Sequence, residues 1–76
     1  MKAYVLINIR TGEVKQVVKE LRKLDNVVEA NMTFGPYDSV ALIETEDING
    51  VGSIIVNEIQ SIPGVLDTLT CLAVDV

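Results

Sequence analysis

The chain predicts an α+β fold built from two strand–helix–strand units joined back to back near its midpoint, and three observations predict it. The first is a near-repeat. Shifting the sequence by 38 residues lays Val5 on Ile43, Gly12 on Gly50, Val17 on Ile55, Leu21 on Ile59, Leu24 on Ile62, Val27 on Val65, Val28 on Leu66 and Glu29 on Asp67, the mark of one unit used twice. The second is that, in each half, apolar residues recur first with the period of a strand, then of a helix, then of a strand again. The third is Phe34-Gly35-Pro36-Tyr37-Asp38, where Gly admits a positive φ and Pro fixes the φ that follows, so a tight turn separates the halves.

Ala3 to Ile9 is short, apolar and rich in β-branched residues, which suits a strand and is too brief for a helix. Both of its faces are largely apolar. Thr11 then offers an N-cap hydroxyl with Glu13 in the first turn. Val14, Val17, Val18, Leu21 and Leu24 line one side of the helix that follows, and Asp25-Asn26 ends it. Lys15, Lys19, Arg22 and Lys23 are interleaved with Glu13, Gln16 and Glu20, the pattern of a solvated helix face.

Val27 to Phe34 alternates, with Val28, Ala30, Met32 and Phe34 expected on one face and Val27, Glu29, Asn31 and Thr33 on the other. The turn returns the chain through Asp38 to Thr45, so these two runs form an antiparallel hairpin. Asp47 or Thr45 is the expected N-cap of a second helix, whose apolar side is Ile48, Val51, Ile54, Ile55, Ile59 and Ile62. Gly50 and Gly52 weaken its first turn, and that end is expected to fray or to pack closely. Pro63-Gly64 stops the helix, because Pro cannot continue it and Gly tolerates the left-handed conformation. Val65 to Val76 reads as one long strand, with Leu66, Thr68, Thr70, Leu72, Val74 and Val76 sharing a face.

The order is therefore βαββαβ. Right-handed crossovers close it into a ferredoxin-like domain, a four-stranded antiparallel sheet with two helices on one face. Nothing remains to cover the other face, although the first and third strands are apolar on both. Exposing about eight such side chains, at roughly 1.5–3 kcal/mol each, exceeds the net stability of a small domain. A second copy packed sheet to sheet in a two-fold dimer is the economical cover.

Composition agrees. The 76 residues are 49% hydrophobic, with one Cys and neither His nor Trp, more apolar material than a lone small domain hides. The formal net charge of −5 speaks against direct binding to nucleic acid, whose phosphates are neutralised by Lys and Arg. No apolar run approaches the roughly 20 residues of a membrane span. A soluble, cytoplasmic protein is expected, and Cys71 reads as a small buried hydrophobe in a reducing compartment. Without His, a nucleophile–base pair, a phosphate-cradling Gly loop or a spaced carboxylate set, the residues supply no machinery for catalysis, metal or cofactor.

The βαββαβ order, the Gly35-Pro36-Tyr37-Asp38 turn as a Gly-x-x-Asp hairpin, the helix exit Ile62-Pro63-Gly64-Val65 and the pair Thr68-x-Thr70 together resemble the effector domain of the Lrp/AsnC family. These are the feast/famine transcription regulators, and the resemblance covers essentially the whole chain. Full-length members carry a helix-turn-helix before this domain, whereas Met1 here leads directly into the first strand. The resemblance thus implies a stand-alone ligand-binding domain over residues 1–76, whose dimers close into octameric or decameric rings with a free amino acid held between dimers. Regulation would then run through co-assembly with a full-length, DNA-binding relative. With that resemblance, Asp38 becomes a candidate acceptor for a ligand's α-ammonium. Gly35, Pro36 and Tyr37 become candidates to present backbone groups and a wall, Thr68 and Thr70 to bond a carboxylate, and Met32 to line an apolar pocket. Each also has a plain structural use: Asp38 as a turn residue, the threonines as β-formers and Met32 as core filler. Two other functions fit the same topology, a small enzyme of the dimeric α+β barrel type and a structural assembly subunit without ligand.

Overall fold

Strict alternation of large aliphatic side chains makes the first strand the centre of the molecule. A computed structural model, which describes all 76 residues, contains β1 (Lys2–Ile9), α1 (Val14–Leu21), β2 (Val27–Met32), β3 (Ser39–Glu44), α2 (Ile48–Ile54) and β4 (Val65–Leu72). The sheet order is β2-β3-β1-β4, with every pairing antiparallel. Ala3, Val5, Ile7 and Ile9 of β1 point to the helices and are buried. They meet Val17 and Leu21 of α1, Ala30 of β2, Ala41 and Ile43 of β3, and Val51 and Ile54 of α2 in one core. The ferredoxin-like architecture expected from the sequence is the architecture found.

The repeat is visible in space. Val5 and Ile43, Val17 and Ile55, and Leu21 and Ile59 are all buried, each pair filling equivalent places in the two halves. It extends to an irregularity that periodicity does not show. β2 shifts register on β3 between Val27 and Glu29, and β4 shifts on β1 between Val65 and Asp67. Each is a bulge that adds one residue to its strand. Val28 and Leu66, matched by the repeat, are the residues passed over, and they are exposed to almost the same degree, 59% and 58%. Because one extra residue flips the faces, Val27 and Val65 turn inward against the core, reversing the faces expected for them.

Three other expectations change. Glu13, not Thr11, occupies the N-cap of α1, and it makes no side-chain capping bond. Thr11 lies instead in a turn closed by the Glu13 N–H donating to the Arg10 carbonyl at 3.0 Å, with Gly12 at φ +87°. β4 ends at Leu72; the Ala73 N–H still donates to the Lys2 carbonyl at 2.9 Å, and residues 73–76 are exposed rather than part of a longer strand. Cys71 is exposed on the open face rather than buried.

The second helix begins as expected. The Asp47 carboxylate accepts from the Gly50 N–H at 2.9 Å, and a Cβ on Gly50 would stand 3.1 Å from Thr45 Cβ, so the close-packing alternative holds at that end. Replacing Asp47 by Ala removes the cap and should cost about 1 kcal/mol, read as a melting-temperature loss of about 4–8 °C. α2 runs on into a π-helical turn, Ile55–Ile59, closed by the Gln60 N–H donating to the Ile55 carbonyl at 2.8 Å. A π turn brings residues five apart into line, which lets Ile54 and Ile59 share the buried side with Ile55 between them.

Away from the helices, the register stacks Tyr4 between Leu42 and Cys71, and Leu6 between Val40 and Leu69. Asn8 donates to Asp67 Oδ1 at 2.9 Å at one margin. Six neighbouring side chains thus form an apolar patch that no element of this chain covers. No helix is long and apolar enough to cross a membrane.

Candidate functional site

Asp38 stands at the mouth of the β2–β3 hairpin, where the sheet continues one step beyond its regular strands. Its N–H donates to the Ile7 carbonyl at 3.0 Å, and its own carbonyl accepts from the Thr33 N–H at 3.0 Å. Its carboxylate reaches back across the sheet and accepts from the Ile9 N–H at 2.7 Å. The side chain therefore closes the end of the β1–β3 ladder, a use different from a bond to its own turn. One carboxylate oxygen is engaged, and the other is left without a bond inside the chain.

The loop before it is shaped by local bonds. Thr33 Oγ1 donates to the Tyr37 carbonyl at 2.7 Å, and Gly35 takes φ +153° with open space where a Cβ would stand. Phe34 projects from the tip fully exposed, while Tyr37 is half-buried beside Asp38. Sequence reasoning gave Phe34 to a strand face, but β2 ends at Met32.

Thr68 and Thr70 lie on β4, opposite Ile7 and Val5, and both are half-buried on the helix side. Gln60, at the end of the π turn, donates from Nε2 to Thr68 Oγ1 at 3.0 Å. Nothing in the spacing of the sequence marks Gln60 for that contact. Met32 lies on β2, at the other edge of the sheet. Three strand spacings separate the edges, about 14 Å, so one protomer does not bring Met32 to the threonines. Asp38 stands about two spacings, roughly 10 Å, from β4. No three Cys, Asp or Glu side chains converge to hold a metal ion.

The charged face of α1 divides into two flanks. On one, Gln16 Nε2 donates to Glu20 Oε1 at 3.0 Å, and Lys23 pairs with the same oxygen at 3.2 Å. On the other, Lys15, Lys19 and Arg22 surround a groove of about 200 Å³ whose apolar floor is Val18 and Met32.

The Lrp/AsnC ligand binding domain matches residues 2–76. The chain belongs to the Lrp/AsnC family. It is 35% identical over 72 residues to the HTH-type transcriptional regulator FL11 of Pyrococcus abyssi, a match over 95% of the chain and 47% of that relative. The chain thus spans about half the length of the curated Lrp/AsnC relatives it matches, which are transcriptional regulators and not enzymes. Among solved structures, TTHA0845 of Thermus thermophilus superposes with a TM-score of 0.93 at 33% identity, over 99% of this chain and 94% of that one. The regulator NMB0573 of Neisseria meningitidis, solved in complex with L-Met, superposes with a TM-score of 0.87 over 97% of this chain and 49% of its own. At 18% identity that second likeness speaks for the fold alone.

Proposed function

We propose that this chain is an amino-acid-sensing regulatory module, which holds a free amino acid between dimers of a ring-shaped homo-oligomer and modulates transcription by co-assembling with DNA-binding relatives. Octameric or decameric rings are the assemblies in view. The observation that carries the proposal is the division of the candidate polar groups within a ligand-binding domain of this family. The hairpin with Asp38 and the Thr68/Thr70 pair sit on separate strands, with Met32 at the far edge. Groups spread in this way converge on one small molecule only where two copies meet. The free oxygen of Asp38 then receives an α-ammonium, and a threonine hydroxyl or a loop N–H receives the carboxylate.

A thermal-shift screen of the purified chain with each of the twenty amino acids tests this, with light scattering in parallel. At about 100 times its Kd, an effector adds about 2.7 kcal/mol, a readily visible rise. Asp38→Asn is the informative variant, because its amide oxygen still accepts from the Ile9 N–H while the negative charge is lost. The expected result is an unliganded melting temperature close to that of the parent and no ligand-induced rise. If no amino acid at millimolar concentration changes either melting temperature or particle size, the sensing role is wrong.

A further inference from the structure

We propose that the groove between α1 and β2 is a second, separate ligand site, which takes a small organic anion with an apolar body and no ammonium group. The inference does not rest on the amino-acid site, since only Met32 is common to both and it lies on the edge far from Thr68 and Thr70.

The charge distribution is the first support. The chain carries 11 acidic and 6 basic residues, yet three of the six bases face this one groove. The two ion pairs of the molecule are Arg10–Glu13 and Lys23–Glu20, so Lys15, Lys19 and Arg22 have no carboxylate within ion-pair distance. Lys15 and Lys19 are four residues apart on a helix, and Arg22 follows three later, spacings at which like charges repel. A bound anion converts that repulsion into attraction. Arg22 is held in place, with its Nε donating to the Ala30 carbonyl at 2.9 Å, and its terminal nitrogens remain free for a ligand.

The floor is the second support. Val18 is only 5% exposed, yet it stands outside the main core cluster. Met32 beside it is 53% exposed, and its flexible thioether adapts to varied apolar shapes. A volume of about 200 Å³ lies below that of pockets for drug-sized ligands, so the occupant is small. No carboxylate lines the groove, so an amino acid's ammonium would meet three cations and no counter-charge. The chemistry that fits is a carboxylate or comparable anion on the bases, with a short aliphatic body over Val18 and Met32.

4-Methylpentanoate and L-leucine form the deciding pair of probes, because they differ only by the ammonium. Methyl NMR of the intact protein follows Val18 and Met32 during titration with each, and with acetate, which has the anion but little apolar body. Expected are saturable shifts of both methyls with 4-methylpentanoate, and no response of Val18 to leucine or acetate; a leucine response at Met32 without Val18 belongs to the amino-acid site. The signals of Thr68 and Thr70 stay still. The double variant Lys15→Gln with Lys19→Gln should weaken that binding by about threefold to tenfold, the worth of two exposed ion contacts, without lowering the unliganded melting temperature. Added salt should weaken it too. The proposal is overturned by no saturable shift with 4-methylpentanoate, by an equal response of Val18 to leucine or acetate, or by unchanged binding in the folded double variant. If that variant fails to fold, the comparison of probes on the parent protein still decides. Responses confined to Thr68 and Thr70 would refute this groove while leaving the amino-acid site standing.

Discussion

Gly64→Ala should destabilise the chain by about 2–5 kcal/mol, the sum of a left-handed backbone cost of about 1–2 and an overpacking cost of about 1–3. Gly64 is buried at φ +103°, and an added Cβ would stand 3.1 Å from Val17 Cγ2 and 3.3 Å from Glu13 Cβ. Both neighbours belong to the start of α1, and the Gly64 carbonyl accepts from the Arg10 N–H at 2.8 Å. The methyl therefore has to push α1 away from the sheet, against a backbone bond that holds the same corner shut. Gly12→Ala supplies the control, because Gly12 also has positive φ, +87°, but nothing within 4 Å of its would-be Cβ. It should cost only the backbone share. With about 4–8 °C lost per kcal/mol for a domain of this size, thermal unfolding separates the two variants clearly. Equal losses would show that the corner yields freely and that close approach is not why Gly stands at position 64.

That corner also shows how far the sequence could be read. A Gly after Pro63 announced a left-handed residue, because the need is local. Its contact with Val17 lies 47 positions back along the chain and left no local trace. The same division runs through the fold. Element order, the two helix stripes and the Asp47 cap follow from periods and residue types within a few positions. The bulges at Val28 and Leu66 do not, since Val27-Val28 and Val65-Leu66 are apolar at both positions and either residue could point inward. Thr11 has the chemistry of a cap, but the turn at Gly12 starts the helix later. In the candidate site, the hairpin and the threonines were legible as residues, whereas their distribution over both sheet edges needed the topology. The partner of the Asp38 carboxylate, a backbone N–H on β1, also needed the pairing of β1 with β3. Lys15, Lys19 and Arg22 stood at helical spacing in plain sight, but only β2 shows what they surround.

Leu6→Asp should abolish dimers and, at low micromolar protein, unfold the chain or leave it a weakly stable monomer. Leu6 lies at the centre of the uncovered face, between Val40 and Leu69, with Tyr4, Leu42 and Cys71 adjacent. Each of these side chains has finished its work inside the protomer, since the helix-side core closes without them. Their remaining exposed area is stabilising only against another apolar surface. In the two-fold dimer expected from the sequence, that surface would present the substituted position twice, so one mutation would set two carboxylates into the interface, at about 3–5 kcal/mol for each buried charge left unpaired. Val56→Asp is the matched control: Val56 is 62% exposed on the outer side of the second helix, and a charge there should change stability by no more than about 0.5 kcal/mol. Light scattering and circular dichroism read both outcomes. A Leu6→Asp chain that keeps the parent's particle size and melting temperature would mean that the patch stays open to water, and a ligand held between dimers would then have no dimers to join.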